Sequence, residues 1–171
     1  MRVEQSLLAE SWNPSYAALG FDPDDTDPLF LMPAVNELVS TDASGWLENW
    51  LRRLAREQIA HHIALIGPRL QRAPGKVFVM DQRTKWGNCS ALGNLSFNWR
   101  LVMAPDDVLR YIVTHELVHL AIPDHSTRFW LTVRSHCPGS ERARQWLAAN
   151  GHRLTVDLAE RLAGENATDT P

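Results

Sequence analysis

The chain has 171 residues, a length that suits one domain and is sufficient to bury a hydrophobic core. Its composition, 44% hydrophobic and 22% charged, is typical of a soluble globular protein. The net charge of −3 argues against bulk nucleic-acid binding, and no run of residues approaches the length of a membrane span. Residues 1–12 lack a cationic start followed by an apolar run, and Cys89 and Cys137 are the only cysteines. We therefore expect a cytoplasmic protein with free thiols.

The N-terminal segment is unusually acidic. Residues 1–45 carry eight acidic residues and one basic residue, so the remaining chain carries a net charge of +4. We interpret this imbalance as a solvated surface. A turn-rich acidic run occupies residues 21–28, and residues 29–32 could form a short strand. We expect residues 1–45 to be a partly ordered or lid-like extension, residues 46–162 to form the domain, and residues 163–171 to be a disordered tail.

A long helix followed by strands is predicted for the first half of the domain. Apolar residues recur at three- and four-residue intervals from residue 46 to residue 66, and Gly67 and Pro68 predict the end of this helix. Residues 77–80 and 95–102 have the patterns of strands. Between them lie a polar loop or bent strand at residues 83–90 and a turn at residues 92–94. This order predicts a hairpin that leads directly into the next helix.

Three further helices are predicted from breakers and apolar spacing. The first begins at Pro105 and must end before Pro123, because proline disfavours a helical conformation in the residue before it. Ser126 can cap the second, which runs to residue 135 or 136. The last extends from residue 140 to about residue 150 and is stopped by Gly151. Helices and strands in this order predict an α+β fold.

A candidate metal site lies near the end of the helix that begins at Pro105. His115, Glu116 and His119 form the segment His-Glu-Leu-Val-His, and His125 follows six residues later. Positions i and i+4 lie on one helix face, so both imidazoles can point at one ion, and the following turn can return His125. Three ligands and an open position are typical of catalytic Zn²⁺, with Glu116 beside the metal-held water. The alternative is a group of surface histidines at a helix end.

Polar residues before the motif are candidates for binding a substrate. Arg83, Asn88 and Asn98 could lie at the rim of a cleft, although each could equally be structural. The strand over residues 94–100 could pair through its edge with an extended peptide. Either Asp124 or a backbone carbonyl could orient a ligand imidazole. Three tryptophans are interpreted as core residues and not as a stacking platform for bases: Trp86, Trp99 and Trp130.

The run from residue 83 to residue 130 resembles the YgjP-like family of metal-dependent hydrolases, which are zincin metallopeptidases. The matching positions are Arg83, residues 85–90 (Lys-Trp-Gly-Asn-Cys-Ser), 93–101, 111–120, 123–126 and 129–130. With the long helix that precedes the strands, the resemblance covers about residues 46–150. It implies a zincin-like fold, in which a small, mostly antiparallel sheet packs on a long helix and on the metal-binding helix, with C-terminal helices.

The same resemblance implies roles for the motif residues. His115, His119 and His125 would be the zinc ligands, and Glu116 would be the catalytic base. Asn88 stands where the family usually has serine, and we expect a local change there without loss of the site.

Two related groups share parts of this pattern. Metzincins have the same ligand spacing, but Ile122 occupies the place of their glycine and no methionine follows His125, which disfavours that subgroup. A looser resemblance to SprT-like proteases, which degrade proteins crosslinked to DNA, rests on the third histidine and the phenylalanine that follows it.

The leading hypothesis is a zinc metallopeptidase in which Glu116 accepts a proton from the metal-held water and later returns it to the leaving group. Two alternatives stay open: a metal-dependent hydrolase of a phosphoanhydride, such as a nucleoside triphosphate, and a non-catalytic binding module with structural zinc. The chain has no glycine-rich phosphate loop and no carboxylate cluster for magnesium. The expected partner is a peptide or protein substrate. A nucleic-acid partner is not indicated but left open, no membrane partner is expected, and the oligomeric state is not addressed by the sequence.

Overall fold

The computed structural model describes residues 43–155 of the chain. Within this range the chain forms four α-helices, three strands and one 3-10 helix. They are α1 (Ala43–Leu70), β1 (Val77–Met80), β2 (Gly87–Cys89), β3 (Leu95–Asn98), the 3-10 helix (Trp99–Met103), α2 (Asp106–His119), α3 (Thr127–His136) and α4 (Ser140–Leu154). The α+β class is confirmed. The predictions for residues 1–42 and for the tail, and the domain end at residue 162, lie outside the described residues.

α1 packs against the rest of the domain through branched residues at helical spacing, and Ile59 and Ile63 are at most 2% exposed. The sequence predicts that the helix ends at Gly67 and Pro68, whereas it continues to Leu70. Proline disfavours a helical conformation in the preceding residue partly through a clash with that residue's Cβ. Since Gly67 has no Cβ, the helix can run through this proline for one more half-turn.

The three strands of the described range form a mixed sheet in the order β1-β3-β2. β1 is parallel to β3, with Val77 opposite Leu95, and β2 is antiparallel to β3, with Gly87 opposite Phe97. The sheet is therefore less antiparallel than expected. The predicted hairpin exists, but it joins β2 to β3 and not β1 to β3. Its turn contains Gly93, whose φ of +76° lies in the left-handed region that favours glycine.

β3 is shorter than the sequence predicts. The alternating pattern predicts a strand to Val102, but β3 ends at Asn98, where the 3-10 helix begins. The Asn98 side-chain oxygen accepts a hydrogen bond from the Arg100 N–H at 3.0 Å, and its amide donates to the Gln82 carbonyl at 2.6 Å. A side chain that binds a nearby backbone N–H in this way favours the start of a helix over a continued strand.

α2 lies at the centre of the domain and contacts α1, α3, α4, β2 and the 3-10 helix. It begins after Pro105 and ends at His119, before Pro123, as predicted. Its most buried apolar residues are Val108, Leu109, Val113, Leu117 and Val118, each at most 1% exposed. The helix that carries the histidine motif is therefore held on several sides by the core.

α3 and α4 pack against α2. α3 follows Ser126 and ends at His136, as predicted, although the Ser126 side chain makes no capping hydrogen bond. The sequence predicts that Gly151 stops the last helix, but α4 passes through it to Leu154. A Cβ at residue 151 would lie 3.1 Å from the Trp86 ring. Gly151 is therefore a packing residue, which leaves room for an indole from the β2 segment.

Two further expectations concern the whole domain. None of the described helices is both long enough and apolar enough to cross a membrane. Cys89 is half-buried and Cys137 is buried, and both are free thiols, as predicted.

We expect Asn98→Ala to lower the free energy of unfolding by about 1–3 kcal/mol, because it removes the partner of the Gln82 carbonyl and of the Arg100 N–H. Urea denaturation at an unchanged m-value would measure this loss. Asn150→Ala is the control: the Asn150 amide donates to the Trp146 carbonyl on a partly exposed face of α4, so we expect a change within about 0.5 kcal/mol. An Asn98→Ala protein as stable as the wild type would contradict this account.

Candidate metal centre

Three histidine side chains converge at the end of α2. His115 and His119 lie one turn apart on this helix, and the turn at residues 120–124 returns His125 to the same point. The Nε2 atoms are 3.2 Å apart for His115 and His119, 3.2 Å for His119 and His125, and 3.1 Å for His115 and His125. Pro123 prevents a continuation of the helix and so permits this return.

These distances suit one shared metal ion. Two nitrogen ligands at about 2.0–2.1 Å from a tetrahedral ion are about 3.3–3.4 Å apart, close to the separations observed here. Burial, together with the neighbouring His119 and His125, lowers the pKa of His115 to about 3, and burial also lowers the pKa of His119. Neutral imidazoles keep the lone pairs that a metal requires. Among the described residues, these three histidines are the one group of three or more His, Cys, Asp or Glu side chains whose ligand atoms lie close enough to share an ion.

A backbone carbonyl orients one of the three rings. The Nδ1 atom of His119 lies 3.0 Å from the Ile122 carbonyl oxygen, and an N–H donated to this oxygen leaves the Nε2 lone pair free. Asp124 binds within its own turn: its Oδ1 accepts from the Ser126 N–H at 3.2 Å. Hydrogen bonds from Ser126 lower the pKa of the Asp124 carboxyl. The sequence allows either Asp124 or a backbone carbonyl to orient a histidine ring, and in the structure the Ile122 carbonyl contacts His119.

Aromatic side chains of α3 support the histidines. Phe129 is fully buried, and its ring centroid lies 4.8 Å from His115, 4.5 Å from His119 and 4.8 Å from His125. The Trp130 ring is stacked on His125 at 5.6 Å and 25°. Rings packed this closely restrict rotation of the imidazoles, so that the donor atoms are positioned by the core of the protein.

The tryptophans considered from the sequence all pack with the core. Trp99 is fully buried in the 3-10 helix, and Trp86 and Trp130 are partly buried against the core cluster. Their interpretation as residues that pack with the core is confirmed for these three positions.

Glu116 is a buried carboxylic acid beside the histidines. It is only 6% exposed and faces β2 at Gly87. Burial raises the pKa of this carboxyl to about 7, and the nearby Lys85 ammonium acts in the opposite direction. An acid whose pKa lies near neutrality can both accept and return a proton under the same conditions.

The histidines and Glu116 line a cleft of about 580 Å³. Its walls are residues 87–91 with Lys85 on one side and the turn after α2 on the other. This volume falls within the usual range of ligand sites in proteins. The cleft gives a substrate access to the histidines and to the carboxylate at the same time.

The three polar residues predicted at the rim have different positions. Asn88 lines the cleft. Arg83 is exposed and is not part of the lining, and Asn98 is 1% exposed and caps the 3-10 helix. Lys85 and Cys89 line the cleft as well. The sequence places Cys89 nearer to a site than Cys137 but favours a packed side chain there, and it does not indicate Lys85. The available signal was their place in the same short polar run as Asn88.

The strand edge beside the cleft belongs to β2. The sequence predicts a substrate-binding edge on residues 94–100, but that strand is β3, the central strand of the sheet. β3 pairs on one side with β1 and on the other with β2, so its backbone is not available to a further strand. This prediction is wrong because strand order depends on long-range pairing, which spacing in the sequence does not report.

The backbone of β2 has a defined outward-facing set of groups. The Trp86 carbonyl accepts a hydrogen bond from the N–H of Asn98, the last residue of β3, at 2.9 Å, and the Ser90 N–H donates to the carbonyl of Asn94, just before β3, at 2.8 Å. Residues of an antiparallel pair alternate between bonding to the partner and pointing away from it. The N–H and C=O groups of Gly87 and Cys89 therefore point away from β3, on the side of the sheet that no described strand covers.

A buried carboxylic acid beside three converging histidines, on an α+β scaffold, is the arrangement of a zincin-like metallopeptidase. The family model of the YgjP-like, metallopeptidase domain matches residues 32–150, which is more than half of the chain. The chain belongs to this family and is, in general terms, a metal-dependent peptidase. The match begins before residue 46, where the resemblance seen in the sequence starts. No curated protein and no solved structure matches the chain.

We expect His119→Ala to lower the affinity for a divalent metal ion by more than about 100-fold, because it removes one of three nitrogen donors. Competition between the metal-free protein and a chromophoric chelator would measure the affinity. His61→Ala, an exposed histidine on α1, is the matched control and should bind as the wild type does. Unchanged affinity in the His119→Ala protein would contradict a shared site.

Proposed function

We propose that this protein is a zinc-dependent peptidase in which His115, His119 and His125 bind the metal and Glu116 is the general base. The observation that carries the proposal is the convergence of three Nε2 atoms, 3.1–3.2 Å apart, in a cleft that a buried carboxylic acid also lines. Family membership supports a metal-dependent peptidase, and this geometry supports the particular residues.

The donor set favours zinc. Magnesium and calcium prefer oxygen ligands, whereas imidazole nitrogen is a frequent ligand of zinc. Three protein ligands leave a position open for water or substrate, as in catalytic zinc sites. Zinc bound there would supply Lewis acidity, which lowers the pKa of water to about 7 and polarises a carbonyl group.

Glu116 would carry out the proton transfers. It follows His115 directly on α2, and its side chain is buried at the wall of the same cleft. In this role it accepts a proton from the attacking water and returns it to the amine that leaves. Its burial limits exchange with bulk water, so the proton passes between Glu116 and the reactants.

The free edge of β2 would hold the substrate. An extended peptide can add to a strand edge through main-chain hydrogen bonds, which makes few demands on its sequence. Gly87 and Cys89 present their backbone groups on the outer side of β2, and both residues line the cleft. Asn88 and Lys85, whose side chains approach each other at 3.5 Å at the rim, would contact the substrate beside this edge.

The phosphoanhydride hydrolase is the weaker alternative. Enzymes that act on nucleoside triphosphates commonly bind magnesium through carboxylates. In the described part of the chain, the potential metal ligands that cluster are the three histidines. The free edge of β2 can also form main-chain hydrogen bonds with a peptide, which a nucleoside triphosphate lacks.

We expect Glu116→Gln to keep the bound zinc and to lower kcat by about 10²–10⁴-fold, because an amide cannot accept the proton from the attacking water. Turnover of a broad peptide library and metal analysis of the same samples would measure both. Glu141→Gln, a charge change at an exposed position of α4, is the control and should retain activity. Zinc binding by the wild type without cleavage of any peptide would contradict the proposal and favour the phosphoanhydride or binding-module alternatives.

Backbone methylation of a substrate should test the β2 edge. We expect N-methylation at two substrate positions that are two residues apart to lower kcat/KM by about tenfold each, because each change removes one hydrogen bond to an outward carbonyl of β2. The position between them, whose N–H faces away from β2, is the internal control. A series in which methylation has equal effects at all three positions would contradict pairing with this edge.

A further inference from the structure

Gly87 and Glu116 are in unusually close contact. A Cβ built on Gly87 would lie 2.7 Å from both Cγ and Oε1 of Glu116 and 3.0 Å from its Cδ. Ordinary contacts of a Cβ are 3.4–4 Å long. The side chain of Glu116 therefore occupies the space that any other residue at position 87 would need.

The backbone of Gly87 does not itself require glycine. Of the described glycines, Gly93 has a φ in the left-handed region, whereas Gly87 lies in a regular antiparallel strand. A β-strand conformation is open to every residue and disfavours glycine. The reason for glycine at this position is therefore space and not backbone conformation.

The backbones on both sides of this contact, α2 and the β2 segment, are restrained by packing. Glu116 is on a helix turn whose neighbour Leu117 is fully buried in the core. The β2 segment is held from the other side, since the Trp86 ring packs against α4 at Gly151. With both backbones restrained, a larger residue at position 87 would displace the Glu116 carboxyl group into the cleft.

We propose that Gly87 is a positioning residue, whose missing side chain sets the place of the Glu116 carboxyl group beside the histidines. The proposal rests on the proposed function, because it gives Glu116 the role of general base. Glycine on a strand edge could also serve the close approach of a substrate backbone. The missing Cβ is directed at Glu116, however, so we assign the effect to the base and expect it in kcat more than in KM.

The kinetic test is Gly87→Ala with metal-saturated protein. We expect kcat to fall by about 10–100-fold, because a displacement of about 1 Å in a catalytic group costs about 100-fold. KM should stay within about twofold, and the metal content should be unchanged. Gly139→Ala is the matched control, since a Cβ there would meet the Arg142 side chain at 3.6 Å, an ordinary contact. A Gly87→Ala protein with wild-type kcat would overturn the proposal.

A stability measurement tests the contact without a substrate. We expect Gly87→Ala to lower Tm by about 4–8 °C in the wild type, the effect of local overpacking in a small domain. In a Glu116→Ala background the same substitution should leave Tm unchanged or raise it, because the obstructing atoms are gone. Equal losses in both backgrounds would overturn the proposal. If the wild type cleaved no peptide, the proposed function would fail. The comparison of the two Tm changes, with and without the Glu116 side chain, would still decide whether Gly87 positions Glu116.

Discussion

The burial of α2 is the constraint on which the rest of the structure depends. This helix carries three polar side chains of the candidate site, His115, Glu116 and His119, yet it is the central element of the core. Val113 and Leu117 on the same helix are fully buried. An ionised carboxylate is costly to bury, and an unsupported imidazole would rotate freely. The fold meets both demands at the last turn of the helix. Phe129 packs on all three imidazoles, while the Glu116 carboxyl group faces a strand at the one residue without a side chain.

The part of the site that could be predicted from the sequence is the part made by local structure. His115 and His119 share a face because of helical spacing, and Pro123 ends the helix so that His125 can return. These relations span about ten residues and need no knowledge of the fold. The same applies to the bounds of α2 and α3, which the breakers at their ends define closely.

The sheet and the cleft wall could not be predicted in this way, because they depend on pairing between distant segments. The sequence pattern predicts strands at residues 77–80 and 95–102 with a loop or bent strand between them. In the structure these two strands are parallel, and the short strand at residues 87–89 pairs antiparallel with β3. Asn98 has the polarity of a rim residue, but its side chain is used by the backbone of its own turn. Polarity and spacing do not distinguish these two uses of an asparagine.

Two glycines show why residue type alone is ambiguous. Gly151 has the pattern of a helix breaker and Gly87 that of a loop residue, whereas each leaves room for a side chain far away in the sequence, Trp86 and Glu116 respectively. Trp86 and Gly87 are neighbours in the chain, so the packing of Trp86 on α4 restrains the residue that faces Glu116. The three histidines are therefore positioned by local structure and by α3, whereas the proposed base, Glu116, also faces a β2 segment that packs against α4. The proposed metal binding and the proposed proton transfer thus share α2, but each is supported by a different neighbour of that helix.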